Sequence, residues 1–259
     1  MEVRLLGTGD AIGTPKIGCA CPQCREASAS GRERLRTSLL LTIGGRRLLV
    51  DTGPDLRRQL LDACSPLIDA VVWTHGHYDH FMGFGEFYRV QEPPPVHAAP
   101  EVLEYCARVF SFLSFPQCAH SPFEPFDLCG ARITLVPVNH PPQPTYGLRI
   151  EADGAVLAYT ADTRADIPER SFDLLRGADL LLLDAIAPAG YRIHKHMTYD
   201  QALSLAARLE PKAFRCVHLA HLVPWDLPHL GRDGETFVLG DHVAAPPRTP
   251  ADPEARPRL

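Results

Sequence analysis

The apolar positions of this chain fall into short blocks of two kinds. EVRLLGTG at the start reads as a strand running into a glycine turn, and TSLLLTIGGRRLLVDTG (37–53) is two apolar runs joined by Gly-Gly, a hairpin signal. PDLRRQLLDA has proline near its start and apolar residues at helical spacing. IDAVVWT is a near-continuous apolar run, as in a strand covered on both faces. FMGFGEFYRV has a helical pattern broken by glycines, and PEVLEYCARVFSFL a cleaner one. ARITLVPV, TYGLRIEAD and AVLAYTAD follow as strands, the last two separated by a tight turn at Asp153-Gly154, and DLLLLDA is another buried strand. In MTYDQALSLAARLEP, Ala202, Leu205, Ala206 and Leu209 line one helix face behind the N-cap Thr198. AFRCVHLAH is a strand entering a loop rich in histidine. Strands, helices, strands, helix and strand in this order suit a layered α/β sandwich better than a simple alternating parallel sheet. The segment 112–130 reads as a long aromatic loop, and no internal repeat is present. From residue 241 to 259 the chain is proline-rich and aperiodic and is read as a disordered tail behind one domain, 1–240.

With 259 residues, 45% of them apolar, the chain can bury a sizeable core. A formal charge of −5 without a long basic run argues against a protein that coats nucleic acid. The N-terminal MEVRLLGTGDAIG lacks the pattern of a signal peptide, and no apolar run approaches the ~20 residues of a membrane span, so a cytoplasmic protein is expected. In that compartment the eight cysteines are not expected to form a disulfide framework, and clustered ones point to metal.

THGHYDH (74–80) crowds three histidines and an aspartate behind the strand IDAVVW. In an extended segment His75 and His77 point the same way, and His80 follows Asp79 after a turn. Two groups of ligands can then face two metal ions, an arrangement that activates water and clamps the oxygens of an in-line displacement. Further donors stand at strand ends: His140 after ITLVPVN, Asp162 after VLAYTA and His218 after FRCV, with Asp51, after RRLLV, placed to orient a ligand. A strand-end carboxylate such as Asp162 is suited to bridging. In GCACPQC, Cys19, Cys21 and Cys24 lie within six residues and need a fourth ligand for tetrahedral zinc; His221, three residues beyond His218, is the candidate. Four protein ligands close a site, making it structural.

THGHYDH, with Asp51, His140, Asp162 and His218 in order, resembles the metallo-β-lactamase fold, an αββα sandwich, over about residues 1–240. The resemblance implies that His75, His77 and His140 hold one metal, that Asp79, His80 and His218 hold the other, and that Asp162 bridges. GTGDAIGTPKIGCACPQC together with HLAHL is similar to the PhnP-type phosphodiesterases of the carbon–phosphorus lyase pathway. That similarity implies a dinuclear site of manganese or zinc, with iron as another choice, a structural zinc, and hydrolysis of ribosyl 1,2-cyclic phosphate or 2′,3′-cyclic nucleotides by a hydroxide held between two metals. The HMT register implies His196, rather than His194, as proton donor to the leaving oxygen, and Asp79 as a ligand that also orients the hydroxide. The partner expected is a small phosphorylated ribose or nucleotide, with no membrane and no stable nucleic-acid binding; a homodimer rests on resemblance alone. Two alternatives remain: a ribonuclease Z-like nuclease, against which the lack of a basic, glycine-rich insertion weighs, and a PqqB-like carrier or metal-binding protein, against which the intact His/Asp set weighs. Lactamase or glyoxalase chemistry is open on the same fold, although the cysteine cluster and HMT speak against both.

Overall fold

The computed structural model describes residues 1–241; the proline-rich tail, except Asp241, lies outside the described residues. In chain order the elements are β1 (Glu2–Gly7), α1 (Pro22–Ser30), β2 (Ser38–Ile43), β3 (Arg46–Val50), α2 (Leu56–Asp62), β4 (Ala70–Val72), α3 (Tyr78–Phe81), a 3₁₀ run Met82–Phe87, β5 (Val96–Ala98), α4 (Pro100–Val109) and β6 (Gln117–Ala119). They continue with β7 (Phe126–Leu128), β8 (Ala131–Pro137), β9 (Tyr146–Ala152), β10 (Ala155–Tyr159), α5 (Glu169–Leu175), β11 (Leu180–Asp184), α6 (Tyr199–Leu209), β12 (Ala213–Val217) and β13 (Thr236–Val238). They form two sheets, ordered β13-β1-β2-β3-β4-β5-β6 and β12-β11-β10-β9-β8-β7.

The leucines of β11 show how the layers stack. Leu180 and Leu182 join the core between the sheets, with Val3, Leu5, Leu39, Leu41, Ile133 and Ile150. Leu181 and Leu183 point the other way, into a second core beneath α6, with Ala202, Leu205 and Leu209. Side chains alternate along a strand, so a strand apolar at every position must be covered twice. The architecture is therefore the expected αββα sandwich.

The hairpin turns at Gly44-Gly45, where φ is +53° and +80°, values that glycine adopts without a Cβ clash. The glycine-broken segment after the metal motif is the 3₁₀ run, and Gly83 is required there because a Cβ would lie 1.9 Å from the carbonyl oxygen of Gly53. The segment 112–130 is not one loop. It contains β6 and β7, short strands that pair at the far edges of the two sheets. β13, α1 and α5 are likewise too short, or too weakly periodic, to stand out in the sequence. No helix among the described residues is long and apolar enough to cross a membrane.

Candidate metal centre

β3 and β4 run parallel, as do β10, β11 and β12, and β8 shares the direction of β10 through two antiparallel steps. Their carboxyl ends open on one rim of the sandwich, where an α/β protein places its chemistry. Asp51 follows β3, His75 and His77 follow β4, His140 follows β8, Asp162 follows β10, Asp184 ends β11 and His218 follows β12. The two sheets are stitched at this rim: the Tyr146 amide donates to the Thr74 carbonyl (3.1 Å), and His75 pairs with Thr145. That stitch carries the metal motif, which begins in the first sheet, against donors from the second.

Four donors, His75, His77, His140 and Asp162, lie within 4.8 Å of one another. His75 Nε2 and His140 Nε2 each stand 3.1 Å from His77 Nδ1. Hydrogen bonding fixes the protons on two of these rings. His140 Nδ1 faces only the Lys195 carbonyl (2.8 Å), so it carries the proton and Nε2 presents a lone pair. The Thr74 hydroxyl donates to Asp51 Oδ2 (2.8 Å), so it accepts from His75 Nδ1 (3.0 Å), and His75 Nε2 is again a lone pair. Burial, reinforced by the neighbouring His80, holds His75 well below the ordinary imidazole pKa, and burial brings His77 down to about 4. The lone pairs of His75 and His140 thus converge on His77 Nδ1, where a cation would draw the three rings together. Ligands 2.0–2.1 Å from one tetrahedral ion sit about 3.3 Å apart, close to the spacing found.

A second group, Asp79, His80 and His218, adjoins the first, and Asp162 serves both. Asp162 Oδ2 lies 3.5 Å from His75 Nε2, 3.4 Å from His80 Nε2, 3.9 Å from His140 Nε2 and 3.3 Å from His218 Nε2. Asp79 Oδ2 lies 3.3 Å from His80 Nε2 and 3.4 Å from His218 Nε2. Burial opposes charge on His218, but Asp162 and Asp79 outweigh it and raise its pKa to about 9. His80 is raised for the same reason. Two buried carboxylates thus create a strong preference for positive charge at this point, and buried His80 Nε2 and Asp162 Oδ1 have no hydrogen-bond partner among the described residues. Two converging lone pairs beside a third imidazole, a shared carboxylate and unpartnered buried polar atoms all fit divalent cations.

Asp51 is fully buried and touches no donor of the first group directly. It accepts from His80 Nδ1 (2.7 Å), from the Thr74 hydroxyl and from the Thr74 amide (2.8 Å). Through these bonds one carboxylate sets the tautomer of His75 and the orientation of His80, one ring for each metal group.

Sequence reasoning missed Asp184. Its Oδ2 accepts from His196 Nδ1 (2.7 Å) and from the Thr163 amide (2.9 Å). The His196 ring stacks on that of His218, with centroids 5.0 Å apart and planes inclined by 13°, and meets the edge of His140. Burial disfavours charge on His196, yet Asp184 outweighs it and raises its pKa. His194 is exposed and takes no part. The signal for Asp184 was present, an aspartate closing a wholly apolar strand as Asp51 and Asp162 nearly do, but no neighbouring ligand drew attention to it.

The cysteine cluster lies elsewhere. Cys19, Cys21, Cys24 and His221 come within 4.8 Å of one another, with His221 Nδ1 3.6 Å from Cys19 Sγ and 3.4 Å from Cys21 Sγ. Sulfur at 2.3 Å and nitrogen at 2.0–2.1 Å from one tetrahedral zinc would be about 3.5 Å apart. Burial disfavours a Cys21 thiolate, but His221 and the Cys24 amide bring its pKa down to about 6. The Lys16 amide donates to Cys24 Sγ (3.3 Å). Cys21 also caps α1, so the same sulfur anchors the loop and starts the helix.

The sequence profile of the β-lactamase superfamily domain matches residues 46–219. An octanoyltransferase of Porphyromonas gingivalis is 30% identical over 247 residues, 89% of this chain; the chain spans only 48% of that protein, so its name does not extend here. A coenzyme PQQ synthesis protein B of Methylobacterium nodulans is 33% identical over 220 residues, 71% of this chain and 72% of the relative. Among solved structures, a diphosphatase of the PhnP family superposes with a TM-score of 0.81 at 32% identity, covering 92% of this chain and 97% of that one.

Proposed function

Because the chain belongs to the β-lactamase superfamily, in its metal-dependent branch, we propose that it is a hydrolase of small phosphodiesters, with ribosyl 1,2-cyclic phosphate and 2′,3′-cyclic nucleotides as the substrate class. In this reading His75, His77 and His140 would hold one divalent ion, Asp79, His80 and His218 would hold a second, and Asp162 would serve both. Cys19, Cys21, Cys24 and His221 hold a structural zinc. Manganese, zinc and iron all suit the imidazole–carboxylate set of the active site. Bound there, the ions supply a lowered water pKa and positive charge beside the phosphoryl oxygens.

The remaining work falls to the chain's own groups. Asp79 uses one carboxylate oxygen toward the His80–His218 side and has the other to orient the attacking water. Asp51 keeps His75 and His80 from rotating. His196, its Nδ1 held by Asp184, turns Nε2 toward the substrate and delivers a proton to the leaving oxygen. The Asp184 carboxylate raises the His196 pKa against the effect of burial, which favours the protonated form that a general acid needs.

The His196–Asp184 pair is the observation that carries the reading. An alkoxide is a poor leaving group and needs an acid, whereas p-nitrophenolate does not. The test is hydrolysis of bis(p-nitrophenyl) phosphate, p-nitrophenyl phosphate and 2′,3′-cyclic AMP, before and after chelation and with Mn²⁺ or Zn²⁺ restored. Chelator-sensitive cleavage of the diesters with the monoester spared is expected. His196→Ala should cost about 10²- to 10⁴-fold on 2′,3′-cyclic AMP and far less on bis(p-nitrophenyl) phosphate, with metal content intact. No diester turnover in metal-loaded protein would sink the proposal. A diphosphate substrate is the second reading, favoured by the likeness to the PhnP-family diphosphatase. Its leaving phosphate depends less on an acid, so faster cleavage of ADP-ribose than of 2′,3′-cyclic AMP, insensitive to His196→Ala, would select it.

A further inference from the structure

A cavity of about 420 Å³ opens on the outer face of the first sheet, and none of the histidine, aspartate or cysteine donors lines it. Its floor is the outward row of β1, Arg4, Leu6 and Thr8, bordered by α2; its walls are the segment 32–35 and the loop 225–234. The volume suits a small organic ligand.

Four arginines line it, Arg4, Arg32, Arg34 and Arg232, in a chain whose formal charge is −5. The acids in the wall do not balance them. Glu33 and Asp62 are both engaged by Arg58, which stands outside the cavity, at 3.1 and 2.6 Å. Asp233 is occupied by the Leu35 amide and the Thr8 hydroxyl, each at 2.7 Å. Burial pushes its carboxyl up to about 7, which lessens its opposition to an anion near neutral pH.

Arg32 is answered by the Glu26 carboxylate (2.9 Å), and the other three guanidinium groups are left with neutral partners or none. Buried Arg34 donates to the carbonyls of Ala220, Val223 and Pro224 and to no carboxylate. Arg4 gives Nη2 to the Asp62 carbonyl, and its Nε is buried with no acceptor among the described residues. Exposed Arg232 has no side-chain ion pair or hydrogen bond there either. A buried guanidinium without a carboxylate is costly unless an anion answers it, an exposed one such as Arg232 is free to turn to a ligand, and guanidinium forks match phosphate oxygens in pairs. Beside them stands Trp225, with the guanidinium carbons of Arg32 and Arg34 at 4.5 and 4.1 Å from its ring centroid, and Leu230. The cavity therefore joins an unanswered cationic end to an aromatic and aliphatic wall.

We infer that this cavity is a second, non-catalytic ligand site for an organic phosphate of mononucleotide size, its phosphate on Arg4 and Arg232 and its planar body along Trp225 and Leu230. The inference is independent of which reaction the metal centre performs. The test titrates metal-loaded protein with AMP, adenosine and inorganic phosphate while following indole emission. Trp73, the other tryptophan, is buried in a phenylalanine cluster, so Trp225→Phe identifies the responding ring. Inhibition of bis(p-nitrophenyl) phosphate hydrolysis by AMP, read in the same samples, reports the metal centre separately.

AMP is expected to change the Trp225 emission at lower concentration than phosphate or adenosine. Arg232→Gln and Arg4→Gln should each shift that midpoint at least tenfold while leaving turnover and the AMP inhibition constant as they were. Absence of an emission response to any of the three probes overturns the inference. So does equal affinity for AMP and inorganic phosphate, which would leave the aromatic wall idle, or an emission response that survives both substitutions or moves together with inhibition. A direct binding readout keeps the test meaningful even where the protein turns over no diester.

Discussion

The two donor clusters of this protein are built in opposite ways. The cysteine cluster takes three of its four donors from six consecutive residues, at a half-buried surface loop, and borrows only His221 from afar. The histidine–aspartate cluster draws on the ends of strands in both sheets, from residue 75 to 218, and nearly all of it is buried. The first is assembled mostly by one short stretch of chain. The second exists only when both sheets are in register, because the Thr74–Tyr146 bond joins the layers and His75 comes from the first sheet while Asp162 comes from the second. The difference teaches that one cluster depends on local chain and the other on the joined sheets, although His218 and His221 both follow β12.

The sharpest way to break that contrast is Asp162→Ala. It removes the one oxygen shared by both groups, and turnover should fall by roughly 10³-fold or more. Metal analysis should show the histidine–aspartate cluster depleted and the cysteine-bound ion retained; loss of all metal would mean that the clusters are not independent. Next in size is Asp184→Asn. It should cost roughly 10²-fold on 2′,3′-cyclic AMP and shift the pH profile. Asp184 raises the His196 pKa against the effect of burial. Without the carboxylate the ring gives up its proton at lower pH, so the alkaline limb of kcat/KM should move toward acid; an unmoved limb would remove Asp184 from the reaction. Asp51→Ala should weaken metal affinity by about 10- to 100-fold, with turnover partly recovered at high metal concentration. Competition with a graded chelator measures it, and unaltered affinity would deny Asp51 its orienting role. The smallest effect on chemistry should come from Cys21→Ser. One metal equivalent is lost and Tm falls, while turnover of bis(p-nitrophenyl) phosphate stays unchanged in calorimetry-matched samples. A parallel loss of activity would show that the cysteine cluster shapes the catalytic rim.

Much of both clusters was legible because their donors obey strong local rules. THGHYDH is dense enough to stand out by itself, and His140, Asp162 and His218 each close or closely follow an apolar run. The layered fold followed from strands such as that of DLLLLDA, whose four consecutive leucines leave no polar face. Asp184 escaped because its significance lies in His196, twelve residues on, across a loop that carries no periodic signal. The role of Thr74 was hidden for a related reason. A threonine beside a histidine says nothing about tautomers until Asp51 is brought to it from another strand. β6, β7 and β13, each three residues long, are held by pairing with neighbours rather than by their own composition. Edge strands of that length leave almost no periodic trace.

The alternating leucines of β11 also constrain how this protein can change over generations. Leu180 and Leu182 belong to one core and Leu181 and Leu183 to the other, and the strand ends on the aspartate that holds His196. Loss or gain of a single codon within it would exchange the inward and outward rows and carry the carboxylate to the wrong side. Descendants of this gene can therefore vary β11 by substitution among aliphatic residues, while its length is inherited unchanged.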